Sequence, residues 1–300
     1  MAAGLADILA EWPRPVFAVL DGAKYDDLPA LLRQIDIEAR ALFLEYRGNA
    51  GIVRAGPHLA LLNERRLRNL LRIEGIEDAA VFWRVEAPDE PALYRHLRTL
   101  NLVEIPAPPP AQGAAPDPFA PAQRTVMFRH WDPGVLAMIL PVLTPAQRAR
   151  LFGPAAALAV AAPEGALQAK RRADWPEPAR GRLVLDDGQM QALSGAMTAR
   201  SHRAIASCLR DAAPEHTRGM DEAGLLGFIA RSEAQGRALG LNTERGLGRF
   251  SYLMLLTKGQ FSGTAEVRAA LAQGPGGPDE AIKSMMQAMA YIMSREGRSW

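Results

Sequence analysis

The stretch at residues 128–136 reads FRHWDPGVL and predicts the end of a strand followed directly by a helix. Residues from Thr125 to Trp131 alternate between two faces, which indicates a strand, and the apolar residues that follow recur at helical spacing. Asp132 lies at the junction, where its carboxylate can accept hydrogen bonds from free backbone N–H groups and meets the positive end of the helix dipole. Pro133 suits the first helical position, since an N–H there has no partner. The stretch therefore predicts a capped strand-to-helix junction.

The same stretch admits a catalytic interpretation. Residues i and i+2 of a strand share a face, so His130 and Asp132 could converge. The strand pattern places Arg129 on the opposite face, together with Trp131. Capping would instead turn Asp132 towards backbone amides, and we favour this structural interpretation. The alternative that stays open is an enzyme of unknown type with a cleft site around Arg129, His130 and Asp132.

Composition excludes several classes of partner. The 300-residue chain has a net charge of +2, and its charged residues are split almost evenly by sign. It therefore has no strong electrostatic field that would attract nucleic acid. No apolar stretch approaches the length of a membrane span, and the N-terminus lacks the pattern of a signal peptide. We therefore expect a cytoplasmic protein that binds neither nucleic acid nor membrane.

Cysteine and histidine usage predicts no metal or cofactor. Cys208 is the only cysteine, so no disulfide can form within the chain, and its place in an apolar helical stripe predicts a buried, inert thiol. The five histidines show no metal-ligand spacing. Nucleotide-binding loops and nucleophile motifs are also missing from the sequence. We expect a non-enzymatic protein without cofactor.

The pattern along the chain predicts an α+β protein of two lobes. Residues 1–161 alternate strand and helix signals and predict an α/β lobe with a mixed sheet. Within this lobe, residues 106–123 hold seven prolines in eighteen residues, which indicates an exposed loop inserted between neighbouring strands. Residues 162–181 mix proline, glycine and charges and predict a linker. Residues 182–300 carry helical periodicity and predict an all-helical lobe.

A set of motifs in the first half of the chain resembles a bacterial family, the domain of unknown function 4123. The motifs, in order, are FAVLDGA at 17–23, GPHLALL at 56–62, FRHWDPGVL at 128–136 and LFGP at 151–154. His58 and His130 stand where the family pattern has aromatic residues. The positions taken as the structural motif are Asp21, Gly22, Gly56, Pro57, Phe128, Arg129, Trp131, Asp132 and Pro133.

The resemblance implies a function that composition and spacing do not show. Members of this family are adaptors, or chaperones, for effectors of the type VI secretion system. The chain would then hold a cognate secreted effector in the cytoplasm and assist its loading onto the spike protein (VgrG-type) of the secretion apparatus. The partners implied are the effector and the spike protein.

The last helix suggests where a partner could bind. Its methionines lie along one side, and unbranched thioether side chains adapt readily to different partners. An ordinary core stripe is the alternative, because apolar stripes at helical spacing are usually core. The short basic run at 170–172, with a tryptophan nearby, could contact an acidic partner rim, and a solvated linker is the alternative. The predicted partner-binding residues are Met285, Met286, Met289, Met293 and Trp175.

Overall fold

A computed structural model describes residues 4–44, 46, 48–87, 89–108, 121–162 and 165–295 of the chain. Contacts divide the chain into an N-terminal unit, Met1–Ser194, and a C-terminal unit, Gly195–Trp300. Strands occur in the N-terminal unit and helices dominate the second half. The predicted fold class, α+β followed by a helical lobe, is confirmed.

The strands of the N-terminal unit form two sheets. Their bounds are β1 Val16–Asp21, β2 Ala39–Ala41, β3 Pro57–Leu62, β4 Ala80–Val85, β5 Leu102–Pro106, β6 Gln123–Met127, β7 Ala155–Ala162, β8 Gly165–Lys170 and β9 Leu183–Val184. Within the described residues, the larger sheet has the order β2-β3-β1-β4-β7-β8 and is antiparallel throughout. The smaller sheet has the order β6-β5-β9, in which β5 pairs antiparallel with β6 and parallel with β9. The smaller sheet is therefore mixed.

The helices begin mostly at side-chain caps, which is why local sequence predicts them well. Asp27, Asn49, Asn63, Asp89 and Thr144 each accept a hydrogen bond from a backbone N–H of the first helical turn. The helices up to the unit boundary are α1 Leu5–Ala10, α2 Leu28–Gln34, α3 Ala50–Ala55, α4 Glu64–Leu70, α5 Glu90–Thr99, α6 Pro133–Ile139 and α7 Pro145–Phe152. The remaining helices are α8 Asp187–Ala212, α9 Pro214–Thr217, α10 Glu222–Ala238, α11 Glu244–Leu256, α12 Ala265–Gln273 and α13 Pro278–Arg295.

The larger sheet is buried on both faces. Along β1, Phe17 and Val19 belong to one apolar cluster, whereas Val16, Ala18 and Leu20 belong to a second cluster on the other face. This double burial explains why β1 reads as a continuous apolar run. The inward residues of the smaller sheet also join the first cluster.

The segment predicted to link the lobes belongs to the N-terminal unit. Strand β8 lies within residues 162–181 and pairs along its length with β7, and the division between the units falls at residues 194 and 195, inside α8. Strands β5 and β6, which flank the predicted proline-rich loop, are neighbours in the smaller sheet. Residues 109–120 of that loop lie outside the described residues.

The strand that precedes α6 is shorter than predicted. It ends at Met127, and the chain then turns twice: the His130 amide donates to the Phe128 carbonyl and the Asp132 amide to the Arg129 carbonyl, at 2.9 and 3.0 Å. The prediction that Arg129 shares a strand face with Trp131 is therefore wrong.

The C-terminal unit has its own apolar core. Leu225 and Ile229 of α10 pack with Phe250 and Leu253 of α11 and with Ile282 of α13, and all are buried. In the part of the chain that the structure describes, no helix has both the length and the apolar character needed to cross a membrane.

Candidate partner-binding site

Three of the sequence motifs meet at one junction in the N-terminal unit. Asp21 ends β1 opposite Pro57 of β3, and the Gly22 amide donates to the Gly56 carbonyl at 3.1 Å. A Cβ atom on Gly22 would lie 2.2 Å from the Arg54 carbonyl oxygen, so only glycine fits there. These positions therefore hold the backbone of β1 against the turn before β3.

The third motif joins this junction through an arginine. The Arg129 Nη2 atom lies 2.7 Å from Asp21 Oδ2 and 3.3 Å from Asp132 Oδ2. Asp132 Oδ1 accepts hydrogen bonds from the amides of Gly134 and Val135 at 2.9 and 3.2 Å, and Pro133 begins α6. The predicted N-cap is confirmed, and Arg129 links it to the end of β1.

The aromatic residues of the same motif lie in the core. Phe128 and Trp131 are buried, and the Trp131 ring packs edge-on against Phe43 with the centroids 5.3 Å apart. These two side chains anchor the turn between β6 and α6.

His130 lies in the core, and its hydrogen-bond partner differs from those of Asp132. Its ring is fully buried, and its Nε2 lies 3.1 Å from Asn101 Oδ1, while its Nδ1 has no hydrogen-bond partner among the described residues. Burial, and secondarily the nearby His96, lowers the pKa of His130 to about 3, so the ring is neutral near pH 7. The structure does not bring together the His130 and Asp132 side chains that the catalytic alternative requires.

An open apolar groove lies in the C-terminal unit. It has a volume of about 690 Å³ and runs along α8, α11 and α13. Ile205 and Leu209 of α8, Gly248 and Tyr252 of α11, and Met286 of α13 contribute to its walls. Grooves of this size, lined mainly by apolar side chains, are typical binding sites for ligands or partner segments.

Gly248 keeps the groove open. A Cβ atom at this helical position would lie 3.7 Å from Ile205 Cγ1, which is an ordinary contact distance. Because Gly248 also lines the groove, a side chain larger than alanine at this position would extend into it. Glu244, Arg245 and Arg249 also line the groove and supply its charged groups.

Cys208 lines the groove, and its side chain is exposed. The prediction of a buried thiol is therefore wrong. Ile205 and Leu209 form the core-facing stripe of α8, and Cys208 lies on the adjacent stripe with Ala204 and Ala212, which faces the groove. Among the described residues, no group of three or more histidine, cysteine, aspartate or glutamate side chains is placed to hold a metal ion.

The residues predicted to bind a partner have different environments. Met286 lines the groove, while Met285 and Met289 are partly buried against the helical core. The side chain of Met293 lies outside the described residues. Trp175 belongs to the N-terminal unit, where its ring packs edge-on against Phe152 with the centroids 5.1 Å apart. Their roles in binding stay predictions.

Comparison with known proteins supports the domain family indicated by the motifs. Residues 16–150 match the model of a family described as "Domain of unknown function (DUF4123)". This segment contains the junction of Asp21, Arg129 and Asp132. Comparisons with curated proteins and with solved structures found no match.

Proposed function

We propose that this chain is a non-enzymatic adaptor, or chaperone, that binds a type VI secretion effector in the cytoplasm and assists its loading onto the spike protein. The resemblance of the first half of the chain to effector adaptors supports the class of function. The observation that carries the proposal is the open apolar groove of the C-terminal unit, lined by Ile205, Gly248, Tyr252 and Met286.

The groove suits an amphipathic helical segment of the effector. The groove is open to solvent, and a partner segment that fills it would remove its apolar lining from water, which is favourable. Met286 can adapt to different side chains because its thioether is unbranched. Arg245 and Arg249, four residues apart on α11, lie on the same side of that helix and would attract acidic residues beside the apolar stripe of the bound segment.

Purification of the tagged protein from its native host tests the proposal. We expect the wild-type chain and a Gly248→Ala variant to retain a secreted, toxin-like effector and the spike protein, identified by mass spectrometry. A Gly248→Phe variant should lose the effector, because the ring would occupy the groove. Equal retention of the effector by both variants, with folding intact, would exclude the groove as its binding site.

The single exposed cysteine gives an independent measurement. Cys208 lies in the groove, so a bound effector segment should slow its alkylation by a maleimide reagent. The control is the same alkylation of the Gly248→Phe variant. Its rate should be the same with and without the effector. An unchanged rate in the wild-type complex would contradict binding at this groove.

A further inference from the structure

A second cavity, in the N-terminal unit, is strongly basic. It has a volume of about 600 Å³, and none of its lining residues within the described part of the chain is an aspartate or glutamate. We call it the arginine cleft, after the residues Arg95, Arg98, Arg150, Arg180 and Arg182 that line it.

Arg150 is a buried cation that lacks an anionic partner among the described residues. The residue is only 7% exposed. Its Nε donates a hydrogen bond to the Gly181 carbonyl at 2.8 Å, and its Nη2 donates one to Thr99 Oγ1 at 2.8 Å. These acceptors are neutral, and burial lowers the pKa of the Arg150 guanidinium from its usual value. Buried charges in proteins are normally paired, so the environment of Arg150 favours an incoming anion.

Arg95 and Arg180 are available to the same ligand. Both are exposed, and neither side chain forms a hydrogen bond or ion pair with the described residues. Binding an anion would therefore cost no existing contact at either side chain. Arg182, by contrast, already donates to Glu104 at 3.2 Å.

The cleft adjoins an exposed apolar surface on the smaller sheet. Leu102 lines the cleft and pairs with Met127 across β5 and β6, so both side chains lie on the same outer face. Val184 lies on this face as well, beside Glu104. The residues are 38%, 51% and 38% exposed for Leu102, Met127 and Val184, which are large values for apolar side chains.

We propose that the arginine cleft and this outer face bind an acidic segment of a partner protein that also carries apolar side chains. Its carboxylates would pair with Arg95, Arg150 and Arg180, and its apolar side chains would cover Leu102 and Met127. A phosphate ion or a nucleic-acid backbone would satisfy the arginines and leave the apolar face uncovered, so a protein segment is the better match. This proposed site is additional to the adaptor function. It does not depend on what binds in the apolar groove of the C-terminal unit.

A fluorescent peptide of alternating glutamate and leucine provides the probe, with fluorescence anisotropy of the full chain as the measurement. We expect the peptide to bind, the affinity to fall with added salt, and the same peptide with glutamine in place of glutamate not to bind. The double variant Arg95→Glu, Arg180→Glu should bind the acidic peptide at least about tenfold more weakly, because two attractions become repulsions.

The matched control is the double variant Arg33→Glu, Arg72→Glu. These arginines are also exposed, form no hydrogen bond or ion pair through their side chains with described residues, and lie outside the cleft, so the change in net charge is the same. This control should keep the wild-type affinity, with thermal unfolding verifying that both double variants fold. Equal weakening in the two double variants would overturn the proposal, since only net charge would then matter.

Two further experiments test whether the cleft binds a different ligand and whether the peptide binds elsewhere. Inorganic phosphate or a single-stranded oligonucleotide that binds at these arginines while the peptide does not would overturn the proposal. The Gly248→Phe variant should bind the peptide as tightly as wild type does. Loss of peptide binding in that variant would place the peptide in the helical groove and overturn the cleft, whereas failure of the groove experiments alone would leave the cleft standing.

Discussion

The Arg129 guanidinium lies 2.7 Å from the Asp21 carboxylate, although the two residues are 108 positions apart in the chain. The Asp21 side chain is 2% exposed and that of Arg129 is 47% exposed, so the pair joins a buried anion to a partly solvated cation. The same Arg129 nitrogen reaches Asp132, the cap of α6. One arginine thereby fixes the entry to α6 against the end of the central strand β1.

Replacing Arg129 by glutamine should destabilise the fold. Asp21 would remain buried with no positively charged partner, and a hydrogen bond to a charged group is worth about 1.5–3 kcal/mol. Solvent around the half-exposed arginine screens part of the interaction, so we expect a loss of about 1–2 kcal/mol in urea unfolding. The control is Arg172→Gln, which breaks the exposed pair with Asp174 and should change stability by less than about 0.5 kcal/mol. Equal losses in the two variants would refute a special role for the Asp21 pair.

Removing the cap of α6 should also lower stability, by a separable mechanism. Asp132→Ala deletes the acceptor for the Gly134 and Val135 amides, and loss of such a cap costs about 0.5–2 kcal/mol. Asp132→Asn keeps a side-chain oxygen that caps nearly as well, so it should lose clearly less. The measurement is the unfolding free energy of both variants. If alanine and asparagine proved equivalent, the stabilisation would come from the charge beside Arg129 and not from capping.

Local chemistry accounts for the parts of the fold that the sequence predicts correctly. Caps and turns depend on a few adjacent residues, as the Asp132 junction and the capping box of Thr144 and Gln147 illustrate. Strand β7 is different. It reads AAALAVAA, and alanine favours helices over strands, so propensity alone does not indicate it. Its conformation is determined instead by pairing with β4 and β8. Packing of its small side chains against α1 in the core also contributes.

The candidate sites are only partly predictable from the sequence, because they too depend on contacts between distant segments. The stripe of Ile205 and Leu209 and the position of Met286 follow from helical spacing, and all three line the groove. Gly248 completes the groove only because α11 lies beside α8, which no local pattern reveals. The arginine cleft is less predictable still, since Arg95 and Arg150 come from separate helices and look like ordinary surface residues in the sequence.

Substitution of Gly153 should lower the stability of the fold more than substitution of other glycines with positive φ does. Its φ of +52° and ψ of −118° disfavour any side chain, and a Cβ atom would lie 2.3 Å from His96 Cε1. Backbone strain of this kind costs about 1–3 kcal/mol by itself. We expect Gly153→Ala to lower the free energy of unfolding by more than this, because the clash with His96 adds to the strain. Gly75→Ala is the control: its φ is +72° and nothing lies within 4 Å of the added Cβ, so it should cost about 1 kcal/mol. Similar losses in both variants would show that His96 moves aside freely.

His130 should make the fold sensitive to acid. Burial lowers its pKa to about 3, whereas an unfolded chain titrates histidine near 6.5, so between these values the unfolded state binds a proton that the folded state does not. Stability therefore falls as the pH drops from about 6.5 to about 3, by up to about 1.4 kcal/mol per pH unit from this residue. His130→Phe should flatten the dependence over this range without abolishing it, because burial also lowers the pKa of His96, to about 4. Urea unfolding at a series of pH values measures the slope, and exposed His216→Gln should leave it unchanged. An unaltered slope in His130→Phe would mean that the ring can be protonated in the folded protein at little cost, in conflict with its burial against Trp131 and Asn101.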